Sequence, residues 1–241
     1  NDKRIKVFNK GPSFGNFGFS FKLVYWLFKN KGNYDFFIIH ELWRFYSLFA
    51  RLFIKNYFVF VHGQLDPYFE TEFFKKVKKK IYWLLIEKKN LQNSKSVLLT
   101  SDIEKQLLNK TFVNTSGINK CVVQYGINRP KFLKSTSKNS FYKLYPNLKN
   151  KKFLIYLGRF HKKKGCDTLI YSLKKLVNQN YKINILMVGP NNNYKKKMQK
   201  LCQDLKIEDY VHWSNTLVGK EKFGAIYASN GMVLASNGEN F

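Results

Sequence analysis

From Tyr156 to Gly165 the chain reads Tyr-Leu-Gly-Arg-Phe-His-Lys-Lys-Lys-Gly, an apolar run that passes into a glycine, an arginine, three lysines and a second glycine. Such a segment can seat a phosphate group. Backbone N–H groups at a helix start carry partial positive charge, and Arg159 and Lys164 add full charges beside them. A second motif, Ser236-Asn-Gly-Glu-Asn-Phe241, offers a hydroxyl and the Glu239 carboxylate directly after another apolar run. His62-Gly63 and Gly189-Pro190 close two further apolar runs. Together these residues suit an enzyme that handles a phosphate-bearing donor. Each alone has a plainer account: a basic loop in a lysine-rich chain, a structural histidine, a turn glycine or a loop carboxylate.

Chemistry at these points needs elements to hold it. Ile5 to Phe8 reads as a short strand, followed by a Gly/Pro/Asn-rich loop from Gly11 to Gly18. Phe19 to Lys29 has near-helical apolar spacing, Tyr34 to His40 is a continuous apolar strand, Leu42 to Lys55 is helical, and Tyr57 to His62 is a second buried strand. Phe73 to Asn90 reads as a basic amphipathic helix, with Phe73, Phe74, Val77, Ile81, Leu84 and Leu85 on one face and lysines elsewhere. Its apolar stripe either packs on the sheet, the plainer reading, or meets a membrane surface. Val97 to Thr100 is a strand, and Ser101-Asp-Ile-Glu104 is a capping box that opens a helix. Cys121 to Gly126 is a strand ending in a turn glycine.

After Pro130 the composition turns to Lys, Ser, Thr and Asn with no clear hydrophobic period, which predicts a linker over 135–151 between domains at 1–134 and 152–241. The second half alternates strand and helix. Strands are expected at 153–157, 183–188, 210–213 and 232–235, with helices at 166–178, 194–205 and 221–228. That is an α/β pattern with a doubly wound parallel sheet, in which ligands bind at the carboxyl ends of strands near a switch in strand order. His62, Gly158, Arg159, Gly189 and the segment from Ser236 all fall at such ends.

The 241 residues carry 43 Lys+Arg against 15 Asp+Glu, a net charge of +28, yet only five of the cations are arginine. Nucleic-acid readers favour the bidentate arginine, so nucleic acid is the weaker partner class, and an anionic membrane surface or anionic substrate the stronger. A Lys/Asn/Phe/Tyr/Ile-rich composition also fits a purely genomic bias. The alternative to an enzyme is a basic α/β protein that binds nucleic acid or a membrane surface without catalysis. Cys121, Cys166 and Cys202 lack paired spacing, which fits a reducing compartment, and with the four histidines they form no metal-ligand spacing. No apolar run reaches the length of a transmembrane helix. The opening residues show no signal peptide and no initiator Met, so the chain reads as a piece of a longer protein.

Seven segments in register carry a resemblance. They are His40-Glu-Leu-Trp43, Val61-His-Gly-Gln-Leu-Asp-Pro67, Thr100-Ser-Asp-Ile-Glu104, Val123-Gln-Tyr-Gly126, Leu157 to Gly165, Val188-Gly-Pro190 and Leu234 to Phe241. In that order they resemble the motifs of the family-4 retaining glycosyltransferases (glycosyl transferases group 1). The resemblance implies a GT-B fold, two Rossmann-like domains facing a cleft, both incomplete here. It also implies a retaining, metal-independent hexosyltransferase without cofactor. The donor would be a UDP- or GDP-sugar and the acceptor a glycan or lipid-linked glycan. Polysaccharide synthesis in the cytoplasm, peripheral on the inner face of the cell membrane, is the implied setting. Gly158, Arg159, Lys164 and Gly165 would hold the donor diphosphate. Glu239 would contact donor sugar hydroxyls as the first carboxylate of an E-x7-E pair, and His62 would sit near the transferred sugar. Gly63, Gly189, Pro190, Ser236, Asn240 and Phe241 would complete the donor site. Gln124-Tyr125 and Ala235 depart from the family pattern. The second glutamate and the family's first strand are expected to lie outside this chain, so this fragment is expected to be inactive.

Overall fold

The computed structural model describes residues 4–11, 18–65, 73–110 and 114–239. It divides into two compact units, one running to Gly126 and the other Ile127–Glu239.

In the first unit, helix α1 (Phe21–Asn30) is followed by β1 (Phe37–His40), α2 (Phe45–Phe53) and β2 (Tyr57–Phe60). Helix α3 (Phe73–Tyr82) then runs through a π-helical turn, Trp83–Glu87, into α4 (Lys88–Gln92), and β3 (Ser96–Leu99), α5 (Asp102–Leu107) and β4 (Lys120–Val122) complete the unit. All described pairings are parallel, in the order β1-β2-β3-β4. Stepping one way through right-handed crossovers places the connecting helices on one face of the sheet. The core agrees with this. Ile39, Val59, Val97 and Leu99, which share one strand face, pack with Ala50, Trp83 and Leu91 of the helices.

Residues 5–8 are not a strand. They pair with no strand among the described residues, and Phe8 instead packs its ring on Trp26 at 5.8 Å.

The second unit opens with α6 (Lys134–Leu144), where a linker was expected. The helix escapes a periodicity reading because its buried stripe is short and partly polar. Phe141 and Ser137, one turn apart, are fully buried, and the Ser137 hydroxyl donates back to the Leu133 carbonyl at 2.8 Å. Then follow β5 (Phe153–Leu157), α7 (Cys166–Asn178), β6 (Asn184–Val188), α8 (Asn193–Asp204), β7 (Val211–Ser214), α9 (Gly219–Ala228) and β8 (Gly231–Met232). The parallel order is β7-β6-β5-β8, so the chain reverses direction across the sheet between β5 and β8.

Both faces of this sheet are covered. Tyr156, Ile185 and Met187 meet α7 and α8 on one side, while Phe153, Ile155, Leu186 and Val188 meet α6 and α9 on the other. Burial on both faces is why these strands read as unbroken apolar runs. Gly224 of α9 lies so close to α6 that a Cβ would run into the Ser137 carbonyl.

Candidate functional site

The strand order switches between β5 and β8, and the crevice outside the carboxyl ends of strands at such a switch is where open α/β sheets bind ligands. Two loops knit together there. The loop after β5 turns through Lys162–Lys164 in a 3₁₀ turn capped by His161, whose Nδ1 accepts from Lys163 N at 3.1 Å. It ends at Gly165, whose φ of +59° lies in the left-handed region that glycine adopts without strain. A Cβ on Gly165 would also collide with the Ala235 carbonyl of the segment after β8. Asn237 N donates to the Lys163 carbonyl at 2.8 Å. Across this junction Lys164 Nζ lies 2.6 Å from both Glu239 carboxylate oxygens.

Burial alone would push the Glu239 carboxyl up. Bonding to Lys164, the nearby Ser236 hydroxyl and the charges of Lys164 and Lys163 outweigh it and hold Glu239 below the usual carboxylate range. The Ser236 Oγ is buried beside the carboxylate.

The end of β6 approaches the same loop. A Cβ on Gly189 would strike the Gly158 carbonyl, so glycine is required there for packing. Asn192 caps α8 and donates to the Phe160 carbonyl at 2.9 Å, tying a third loop to the first. Lys195 of α8 is buried, with Nζ 3.0 Å from the Ser214 carbonyl and over the Phe160 ring, and burial holds its pKa below the ordinary lysine value. Arg159 is exposed beside these groups.

The first unit gathers a different set at the carboxyl ends of its strands. His62 has a left-handed φ of +49°, followed by Gly63 at +72°. A non-glycine residue in that region is strained, and such strain persists where surroundings enforce it. They do so here. Glu104 is buried, accepting from Gly63 N at 2.6 Å through one oxygen and from Thr100 N and Oγ1 through the other. Gln64 accepts from Leu42 N, and Trp43 N donates to the buried Glu87 at 2.6 Å. His62 Nε2 lies 2.8 Å from His40 Nδ1, and its Nδ1 pairs with the Tyr125 hydroxyl. The Phe60 ring stacks on His40, His62 and Tyr125, with interplanar angles of 9°, 8° and 5°. Burial, then the neighbouring His40, lowers the His62 pKa, against the opposing pull of Glu104 and Glu41.

Residues 141–241 match the family model described as glycosyl transferases group 1. Solved structures resemble the chain over most of its length. A sucrose-phosphate synthase from Thermosynechococcus elongatus has a TM-score of 0.69 at 19% identity, covering 91% of this chain and 55% of its own. Anabaena HepE in complex with UDP and glucose has a TM-score of 0.68 at 15% identity, covering 98% and 61%. A glycosyltransferase from Rickettsia africae has a TM-score of 0.63 at 19% identity, covering 89% and 55%. The fold is of the GT-B type. The chain thus spans little more than half the length of these structures, and no curated protein matches it in sequence.

Within this GT-B fold, Lys164, Gly165, Ser236 and Glu239 come together at the switch point, with Gly158 and Gly189 packed against each other beside them. Pro190 is exposed at the end of β6. His62 and Gly63 belong to the first unit's cluster. Asn240 and Phe241 lie outside the described residues, as do Asp66 and Pro67 of the His62 motif. Glu104, Tyr125 and Gln64 were not singled out from the sequence. The capping box accounted for Glu104, and Ser101 Oγ does accept from Glu104 N at 3.2 Å. Its carboxylate has the further task of holding Gly63. Tyr125 stood out only as a departure from the family motif.

Proposed function

We propose that this chain belongs to a glycosyltransferase that moves a sugar from a nucleoside diphosphate sugar to a glycan or lipid-linked acceptor, with retention of configuration. One observation carries the reading: Lys164 and Glu239 pair at the switch point of a Rossmann-like sheet, with the Ser236 hydroxyl beside the carboxylate. A cation, a helix N-terminus and a carboxylate at one crevice suit the two ends of such a donor. Lys164, exposed Arg159 and the first N–H groups of α7 neutralise the negative charge that grows on the diphosphate as the sugar departs. Glu239 accepts hydrogen bonds from sugar hydroxyls, and Ser236 supplies a further polar contact. Protein cations take the place a metal ion could fill, and no cofactor enters the reaction.

The family match of the second unit supports this reading, as does the UDP and glucose named with Anabaena HepE. Acceptors of this kind are made at the cytoplasmic face of a membrane, which is the setting proposed here. The test is calorimetric titration of the full-length protein with UDP and GDP. Arg159→Ala and Lys164→Ala each weaken the preferred nucleotide by at least about tenfold, the scale of a lost charge-assisted contact. Unchanged affinity in both variants would sink the assignment of the donor site.

A further inference from the structure

From Val77 onward the basic helix of the first unit turns its apolar stripe the other way from a packing helix, the side chains of Phe73 and Phe74 lying outside the described residues. Val77, Ile81, Leu84 and Leu85 are 41%, 53%, 60% and 68% exposed, while Trp83, Glu87, Asn90 and Leu91 fill the inward face. A helix that packs by its hydrophobic stripe would do the reverse. Leu52 of α2 and Phe21, Tyr25 and Phe28 of α1 are also at least half exposed. These helices cover the same face of the sheet, so solvent-facing apolar residues recur along the layer.

Charge decides what such a surface meets. Residues 73–92 contain seven lysines and a single acidic residue, Glu87, whose side chain is buried in the polar network with Ser47 and Asn90. Exposed Lys78, Lys80 and Lys89 flank the aliphatic ridge. A second copy would set lysine against lysine, which is costly across an interface. Nucleic acid would leave four aliphatic side chains with nothing to bury them.

From this we infer that the outer face of the α3–α4 segment, with α2 beside it in the layer, docks on an anionic phospholipid bilayer. The aliphatic ridge sinks to the head-group boundary, and the lysines pair with lipid phosphates. This inference does not rest on the donor-site reading.

The experiment is co-sedimentation of the full chain with vesicles of phosphatidylcholine alone or mixed with phosphatidylglycerol. Binding to the anionic vesicles is expected to be at least about tenfold stronger, and to weaken with salt. The double variant Leu84→Glu/Leu85→Glu loses about tenfold or more of it and keeps UDP affinity, so failure here and failure of the donor reading separate. A reporter independent of that variant's folding is an environment-sensitive dye at Leu85→Cys in a Cys121→Ser background. Its emission shifts to the blue on adding anionic vesicles. No vesicle binding, equal binding to both lipid mixtures, or a dye that stays in water would overturn the inference. So would a dimer in sedimentation that the double glutamate variant dissolves.

Discussion

Lys164 and Glu239, 75 residues apart in sequence, form an ion pair with Nζ 2.6 Å from both carboxylate oxygens and both side chains about three-quarters buried. The two residues assigned to opposite ends of a donor therefore hold each other before one arrives. This contact fixes the lysine over the start of α7 and spares it the search through rotamers that a free lysine would make on binding. It also sets a competition, because the diphosphate proposed to bind there would have to draw Lys164 partly away from Glu239.

The ion pair makes stability depend on acid. The folded pKa of Glu239 lies below its unfolded value, so the contribution is fully present above the ordinary carboxylate range. It is lost as pH falls through the folded pKa. Glu239→Gln removes the contribution, and its thermal midpoint varies less with pH on the acid side than that of the parent. Parallel acid limbs for the two proteins would refute the pairing.

Gly165 is irreplaceable on two grounds, a left-handed backbone and a Cβ that would enter the Ala235 carbonyl. Gly165→Ala should cost at least about 3 kcal/mol, combining left-handed strain with overpacking. Gly126, with open space around it and no positive φ, is the control. Gly126→Ala should change stability by less than about 1 kcal/mol. Denaturant titration of both variants separates packing from a general intolerance of substitution.

Glu87, the last residue of the π-helical turn, is a buried carboxylate set against the start of α2, accepting from Trp43 N, Ser47 and Asn90. Burial raises its pKa, and those hydrogen bonds only partly oppose the rise. Raised above its unfolded value, it favours folding most below the unfolded pKa, and that advantage fades as pH climbs through the folded one. Glu87→Ala strands three donors and should cost about 3 kcal/mol or more. Glu87→Gln keeps an acceptor and should cost less, with the gap to the parent narrowing as pH rises. Urea unfolding at two pH values measures this.

The His62 cluster should respond to its neighbours' charges. His40→Asn removes a group that lowers the His62 pKa and so raises it, whereas Glu104→Gln removes a group that raises it and so lowers it. Because His62 titrates below its unfolded value, its share of stability is present above the ordinary histidine pKa and lost as pH falls through the folded one. Imidazole NMR titration in each variant reads the shifts directly. Movement of both variants in the same direction would contradict the arrangement.

Some of this was legible from neighbouring residues alone. The strand, basic loop and helix from Phe153 to Asn178 follow from local periodicity and glycine placement, because both signals act over a few residues. The Ser101 cap was legible for the same reason. Helix α6 was not. Its buried stripe rests on Ser137 and Phe141, and only the approach of Gly224 from α9 makes a polar segment worth burying. Periodicity also showed an apolar stripe on residues 73–90, but a stripe has no direction until the sheet claims one face of the helix. The sheet took Trp83, Glu87 and Leu91.

What the sequence by itself determined is therefore the inventory: an α/β alternation, a basic loop bounded by glycines, a distant carboxylate and a histidine-glycine turn, each specified by local backbone preference and hydrophobic pattern. Tertiary structure alone decided their company. Placing β8 beside β5 brought Glu239 to Lys164, and parallel alignment of β1 to β4 set His40, His62 and Tyr125 in one stack. Strand order is settled by the packing of whole elements against one another, and no local run of residues encodes it.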